Sequence, residues 1–304
     1  MASYNLLLSR LTCKAWNLYR LLFLLLLVST LSFASRAHYE PTFNIRSDFP
    51  RENPWIKRLL KQSHTIFKTH FAHEFSETPK KITVIIKKDA RMRRISGGAS
   101  FQNNQLHFKS DIWQDDRYRR WILIHELVNL LSAHYGSEAY PSDWWSNGRS
   151  PFPVFVTAII LKELRYSKDA HWLRHEYKNK KDHELYWKLY EQYGTKIFRN
   201  LFYYLKRDGI DLSYMGKKWP HPDKNRSLYL IGYLSLSAGE NLAPLFQKHD
   251  IGKRPNDWHK RHKEIIFRTY TITSEDVEQF IAAQLKMQFS QDKKYIKRFQ
   301  QGSF

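Results

Sequence analysis

Two stretches in the first third of the chain show clear hydrophobic periodicity. Between Trp55 and Phe75, apolar side chains recur at helical spacing, and this pattern predicts an amphipathic helix. After Pro79, the segment Ile82–Ile86 is a compact run of mostly β-branched residues, which is typical of a buried strand. Residues 35–54 contain three prolines and are predicted to form an extended lead-in.

The segment that follows supplies the rest of the predicted sheet. Gly97 and Gly98 break the chain and are predicted to form a turn. From Gln105 to Trp113, apolar residues alternate with polar ones, and this pattern is typical of a half-exposed edge strand. The predicted order is therefore a strand, an edge strand and then a helix.

The segment Asp115–His134 carries too many apolar residues for a surface helix with one narrow stripe. We therefore predict a largely buried helix that ends at Gly136, because glycine readily adopts the backbone conformations found at helix C-termini. Residues Asp143–Gly148 are predicted to form a turn, and the prolines that follow permit a second apolar helix over Val154–Leu164.

The remainder of the chain shows helical patterns and no convincing strand. Its predicted helices are Leu185–Leu205, Leu228–Ser237, Asn241–His249, Trp258–Tyr270 and Ser274–Phe289. The sequence thus predicts an α+β fold, in which a small mixed sheet packs on the helix that carries His125 and a mostly helical C-terminal domain follows. The predicted divisions are an N-terminal extension and helix over residues 35–78, an α+β core over 79–166 and a helical domain over 167–304.

The first 34 residues are predicted to be a targeting segment. Basic residues precede the apolar run Leu21–Leu31, and the small-residue site Ser32–Ala34 follows it. The run is short for a membrane span. A cleaved secretory signal, with export to the periplasm or secretion, is therefore favoured over an uncleaved N-terminal membrane anchor. Cleavage after this site would also remove Cys13, the only cysteine, which is consistent with an oxidising compartment.

The chain is strongly basic, with 50 lysine and arginine residues against 29 aspartate and glutamate residues and a formal net charge of +21. Such a surplus bears on partners and solubility rather than on fold. The charges are spread in short clusters such as Lys178–Lys181 and Lys293–Arg298, without a recognisable nucleic-acid-binding signature. A solvated basic surface, or one attracted to an anionic partner, is therefore favoured over specific nucleic-acid binding.

Candidate chemistry is concentrated in Trp121–Asn129, which reads W-I-L-I-H-E-L-V-N. In an H-E-x-x-H helix, two histidines one turn apart bind a single Zn²⁺ ion, and the glutamate activates a water molecule bound to that ion. His125 and Glu126 match the first histidine and the glutamate, whereas Asn129 stands at the position of the second histidine.

Three segments make about residues 80–255 similar to the gluzincin zinc metallopeptidases, which include thermolysin-like and aminopeptidase-like enzymes. The first is Trp121–Asn129. The second is Trp144–Gly148, which resembles the W-x-x-E-G segment that opens the helix with the third zinc ligand. The third runs from Leu228–Tyr233 into Ser237–Phe246 and is similar to a helical segment found after the catalytic core. The resemblance implies a metallopeptidase-like core.

The resemblance assigns His125 to the first metal-ligand position and makes Glu126 the catalytic general base of an active enzyme. It places Asn129 and Asn147 at the second and third metal-ligand positions. An uncharged carboxamide is a poor zinc ligand compared with imidazole or carboxylate, so we expect no cofactor, or zinc only if the protein is active. Without metal, His125 and Glu126 are expected to form a buried polar pair, hydrogen-bonded to Asn129 or Asn147.

These observations predict an exported, non-catalytic, metallopeptidase-like protein that acts as a binding module. Its cleft, with Trp144 and Trp145, would hold a peptide or protein segment along the edge strand near Gln105–Phe108. Two alternatives stay open: an active zinc peptidase with unorthodox ligands, and a basic envelope-associated protein that binds anionic partners. The residues considered as unorthodox ligands are Glu138, Asp143 and Glu163, whereas His134 is expected to face elsewhere.

Overall fold

The structure is a computed structural model, and it describes residues 40–88, 97–100, 102–109, 115–136, 151–177, 181–210, 222–248 and 272–286. The described residues from Pro41 onward belong to one compact unit. Several predicted features lie outside the described residues. They are the leader over residues 1–34, Glu138, Asp143, Trp144, Trp145, Asn147 and the helix Trp258–Tyr270.

In the described residues, four strands form a mixed sheet. These are β1 (Thr42–Ser47), β2 (Lys81–Lys87), β3 (Gly97–Ser100) and β4 (Gln105–Lys109). Their spatial order is β1-β2-β4-β3, with β1, β2 and β4 parallel and β3 antiparallel to β4. Alternate residues of β2 and β4 are buried, so one face of the sheet packs into the core and the other is partly exposed.

The described part of the predicted edge strand, Gln105–Lys109, is a strand, but it does not lie at the edge of the sheet. Strand β4 ends at Lys109 in the described residues, and it is hydrogen-bonded to β2 on one side and to β3 on the other. The alternation of apolar and polar residues arises because one face of the sheet is uncovered, which is a separate property from lying at its edge. Strand β3 stands at the end of the described sheet instead.

Two further sheet predictions need correction. Gly97 and Gly98 are paired with Phe108 and His107 as part of β3, rather than forming a turn. The lead-in over residues 35–54 contains strand β1, because Thr42–Ser47 pairs in parallel register with β2 and buries Phe43. The proline content of this stretch masked the strand, although the prolines lie outside it.

Helix α1 spans Asn53–Phe71, after a short 3-10 turn at Pro50–Glu52, and ends before the predicted Phe75. Pro54 is tolerated in its first turn, since the N–H groups there have no intrahelical acceptor. The buried face of α1 follows the predicted helical spacing. It comprises Ile56, Leu59, Leu60, Ser63, His64, Phe67 and Phe71.

Helix α2 spans Asp116–Tyr135 and has defined caps at both ends. The Asp115 carboxylate accepts a hydrogen bond from the backbone N–H of Arg117 at 2.8 Å, which satisfies a free donor of the first turn. Gly136 follows the helix, and its N–H donates to the Ser132 carbonyl. Most of the residues between Ile122 and Tyr135 are buried, which confirms the prediction of a largely buried helix ending at Gly136.

Beyond α2, the described residues contain helices and no strand, which confirms the α+β prediction. The helices are α3 (Pro151–Glu163), α4 (Ser167–Glu176), α5 (Lys181–Tyr193), α6 (Lys196–Arg207), α7 (Pro222–Ala238), α8 (Ala243–Lys248) and α9 (residues 274–286).

The predicted helix Leu185–Leu205 is in fact two helices, α5 and α6. Gly194 separates them with a φ of 66°, a left-handed conformation that ends α5 and that glycine adopts without a steric penalty. Helix α4 was not predicted at all. It buries only Asp169 and Leu173, so it lacks the apolar stripe by which helices are recognised.

Helix α2 lies at the centre of the packing. It contacts strands β3 and β4 of the sheet, and helices α1, α3 and α6. Helix α3 also packs on α4 and α5, and α6 packs on α1 and α7. Among the described helices, none combines the length and the apolar character needed to cross a membrane.

Helix α9 docks on α7 through the ring of Phe280, whose centroid lies 5.1 Å from that of Tyr233. A Cβ atom built on Gly232 would lie only 2.3 Å from Cδ1 of Phe280. Gly232→Ala should therefore lower the free energy of unfolding by about 1–3 kcal/mol, because the ring must move away. Urea denaturation measures the change.

A double-mutant cycle tests the cause of this loss. Phe280→Leu removes the clashing ring, so the double variant with Gly232→Ala should lose less stability than the sum of the two single variants. Strictly additive losses of stability would show that residue 232 and the Phe280 ring do not contact each other.

Candidate functional site

Three polar side chains of the predicted motif, His125, Glu126 and Asn129, lie on helix α2. His125 and Asn129 are one turn apart and share a face of the helix. Glu126 is only 7% exposed. It packs against strand β3, where a Cβ atom on Gly97 would come within 3.1 Å of the Glu126 Cγ atom. Glycine at this position therefore lets the strand approach the helix over the carboxyl-bearing side chain.

The Asn129 side chain is hydrogen-bonded to Glu126. Its Nδ2 atom donates to Oε2 of Glu126 at 3.1 Å. Burial raises the pKa of Glu126 to about 7, and the bond from Asn129 opposes part of this rise. Near neutral pH, the carboxyl group is therefore divided between its protonated and ionised forms. The expected hydrogen bond between Glu126 and Asn129 is present, whereas His125, the other member of the expected buried pair, is not part of it.

His125 is neutral and incompletely satisfied. Burial lowers its pKa to about 4, so the imidazole carries no charge at neutral pH. Its Nδ1 atom is enclosed and has no hydrogen-bond partner. The ring instead lies beside that of Trp121, one turn earlier on α2, with 5.7 Å between the centroids. His125 thus does not join the hydrogen bond between Glu126 and Asn129.

Trp121 is the centre of an aromatic cluster that the sequence analysis missed. Its ring centroid lies 5.0 Å from that of Tyr118 and 6.2 Å from that of Trp172 on α4. Its Nε1 atom is buried without a hydrogen-bond partner, as is Nδ1 of His125. The i, i+4 spacing of the two residues was visible in the sequence. The contribution of Trp172 was not, because helix α4 had not been recognised.

A charged cluster holds helix α4 beside this aromatic group. Asp169 is buried and accepts a hydrogen bond from Nε of Arg120 at 2.6 Å, while Nε of Arg117 lies 3.6 Å from its other oxygen. The guanidinium groups also lie over aromatic rings, that of Arg117 over Trp172 and that of Arg120 over Tyr166. The buried carboxylate is therefore compensated by two cations of α2.

Two other residues considered from the sequence lie away from the motif. The imidazole of His134 is hydrogen-bonded to Oδ1 of Asn104 at 2.7 Å, in agreement with the expectation that it faces elsewhere. Glu163, one of the unorthodox ligands considered, is hydrogen-bonded to His70 of helix α1 instead.

The described donors at the family's ligand positions do not fit a zinc ion. Asn129 is uncharged, and its amide nitrogen is already bonded to Glu126. Zinc-binding histidines usually donate their second ring N–H to an oxygen acceptor, and the buried Nδ1 of His125 has none. Across the described ranges of the chain, no three His, Cys, Asp or Glu side chains group so as to hold a metal ion.

The pKa of Glu126 generates a test of its environment. In the unfolded chain, Glu126 has the ordinary glutamate pKa of 4.5, whereas in the folded protein its pKa is about 7. Between these two pH values, the folded state therefore keeps a proton that the unfolded chain has released. Stability should therefore fall as the pH rises through this window and stay low above it. Glu126→Gln removes the titration and keeps an acceptor for Asn129. The free energy of unfolding of this variant, minus that of the wild type, should increase by roughly 2–3 kcal/mol from pH 5 to pH 8.

Urea denaturation at several pH values gives this difference, from which the titration of His125 cancels. Glu275→Gln on helix α9, where the side chain is exposed, is the matched control for the chemical change itself. A difference between Glu126→Gln and the wild type that does not vary with pH would contradict a buried carboxyl group at this position.

No protein-family model, curated protein or solved structure matches this chain. The gluzincin resemblance therefore stays a prediction.

Proposed function

We propose that this chain is a non-catalytic, metallopeptidase-like protein that binds a peptide or protein segment beside helix α2. The observation that carries the proposal is the hydrogen bond from Asn129 to Glu126. The residue at the second ligand position is thereby bonded to the group that would serve as the general base. The binding module is exported in this proposal, as the leader sequence predicts.

The state of the carboxyl group supports a non-catalytic role. A metallopeptidase needs an ionised glutamate beside a metal-bound water molecule, from which it takes a proton. Here Glu126 is buried against β3, its pKa is raised to about 7, and one oxygen already accepts from Asn129. These features satisfy the side chain within the protein rather than direct it towards a water molecule.

The peptide binds along strand β3 in this proposal, and not along Gln105–Phe108 as expected from the sequence. The backbone of β4 is paired on both sides, whereas β3 is the terminal strand of the described sheet. Its residues Gly97–Ser100 are all small, and it packs directly on α2. An extended peptide that adds to such an edge gains backbone hydrogen bonds without displacing large side chains.

The unsatisfied ring nitrogens of Trp121 and His125 on helix α2 support binding of a ligand rich in carbonyl groups. Trp121 Nε1 is a donor only, and it is buried without an acceptor. An unsatisfied buried donor costs about 1–3 kcal/mol. A carbonyl oxygen of a bound peptide would remove this cost at Trp121, and a second would do so at Nδ1 of His125.

Metal analysis of the purified protein is the first test. We expect zinc well below one equivalent in the wild type, and a large gain in zinc affinity when Asn129→His and Asn147→Glu are introduced together. Stoichiometric zinc in the wild type, together with peptide hydrolysis that stops on chelation, would establish the alternative of an active peptidase.

Peptide binding is tested separately, with fluorescein-labelled peptides from a casein digest and fluorescence anisotropy. Trp121→Phe keeps the aromatic ring and removes the N–H, so affinity should fall by roughly 5- to 10-fold, the equivalent of one hydrogen bond. Trp187→Phe on helix α5 is the control and should bind as the wild type does. An absence of binding by the wild type, or equal affinities for all three proteins, would contradict the proposed peptide site.

A further inference from the structure

Three chain segments meet outside the α2 site and bring together a carboxylate, an imidazole and a hydroxyl group. His70 belongs to the last turn of α1, Glu163 ends α3, and Thr195 immediately precedes α6. His70 is 93 residues from Glu163 and 125 from Thr195 in sequence. Nε2 of His70 is hydrogen-bonded to Oε1 of Glu163, and Nδ1 lies 3.3 Å from Oγ1 of Thr195.

The chemistry of the three groups sets the direction of the hydrogen bonds. An ionised carboxylate can only accept, so Nε2–H of His70 donates to Glu163. In a neutral imidazole the other nitrogen is then an acceptor, and Nδ1 accepts a hydrogen bond from the Thr195 hydroxyl group. The order of groups, hydroxyl to imidazole to carboxylate, is the one in which a base activates a nucleophile and a third group orients the base.

The cluster is held in place by the backbone of two helices. Arg199 of α6 donates from its guanidinium group to the carbonyls of His70 and Thr69, at 3.2 and 3.0 Å. The Thr195 carbonyl accepts from the N–H groups of Phe198 and Arg199. His70 and Thr195 are therefore both hydrogen-bonded through their backbone carbonyls to the first turn of α6.

Thr195 is partly exposed, and the backbone N–H groups that follow it belong to the first turn of α6. The side chains of His70 and Glu163 are 21% and 42% exposed. Gly194, which precedes Thr195, has no atom within 4 Å of the place where its Cβ would lie, so the approach from that side is open. The N–H groups of Lys196 and Ile197 belong to the first turn of α6, where amides have no carbonyl partner within the helix.

We propose that Thr195 is a nucleophile for carboxylic esters, with His70 as its general base and Glu163 as the residue that positions the imidazole. Oγ1 of Thr195 attacks the ester carbonyl while its proton passes to Nδ1 of His70. The same proton then goes to the departing alkoxide, which leaves as an alcohol, and an acyl-threonine ester remains. Water, deprotonated by His70, releases the carboxylic acid and restores the hydroxyl group.

This site is independent of the proposed function, since it uses no residue of helix α2 or strand β3. The full-length protein is incubated with p-nitrophenyl acetate, and peptide mass mapping locates the acetyl group. We expect acetylation of Thr195 in the wild type and none at this position in Thr195→Val, which has the same shape without the hydroxyl group. Thr195→Ser restores a nucleophile and should be acetylated at least as fast as the wild type.

Two variants separate catalysis from mere packing. His70→Gln should slow acetylation of residue 195 by roughly 100-fold or more, the usual contribution of a general base. Glu163→Gln keeps a hydrogen-bond acceptor for the imidazole, and should lower kcat by roughly 10-fold with an unchanged KM if Glu163 positions the base. His171→Gln on α4, an exposed histidine, should leave the rate unchanged. Circular dichroism verifies that each variant is folded.

Absence of acetyl-Thr195 in the wild type would overturn the proposal. So would acetylation of Thr195 that is undiminished in a folded His70→Gln or Glu163→Gln variant, because the three residues would then serve only to join the helices. Neither result would affect the binding of peptides beside α2.

Discussion

The burial of helix α2 on nearly all sides is the constraint on which the rest of this structure depends. Strands β3 and β4 contact it from the sheet, and α1, α3 and α6 contact it from the helical part. A polar group on a helix in such a position lowers stability unless it is satisfied locally, because an unpaired buried polar group costs more than a typical hydrogen bond contributes. Glu126 meets this condition through Asn129. His125 and Trp121 each keep one enclosed nitrogen without a partner.

Asn129 has two physical effects at once. Its neutral amide is a poor zinc ligand, and the same amide brings an N–H donor within 3.1 Å of the Glu126 carboxyl group. The second effect reduces the cost of keeping Glu126 in an enclosed position without a metal ion nearby. A single residue therefore both disfavours zinc binding at this position and stabilises the buried glutamate without a metal ion.

The helices α1, α2 and α3 could be predicted because each buries apolar residues at recognisable spacing along the chain. The sheet order could not, since the alternation in Gln105–Lys109 reports an uncovered face and contains no information about neighbours. Strand β3 was missed for a related reason. Gly97 carries no side chain to show a pattern, and its role is set by Glu126, a residue of another element. The His125–Glu126–Asn129 motif was local and therefore visible, whereas Trp172 came from an unrecognised helix.

The cluster of His70, Glu163 and Thr195 could not be predicted from the sequence either, and its three helices all contact α2. No local pattern marks these residues, because each stands at the end or the start of a different helix. Helices α1, α3 and α6 all pack on α2, so the helix that carries His125, Glu126 and Asn129 also contacts the three helices whose ends form the cluster. Proteins are close-packed, and a change of volume in a core is transmitted to the elements around it. The packing of these helices on α2 therefore contributes to their relative positions, in addition to the bonds from Arg199 that join α6 to the end of α1.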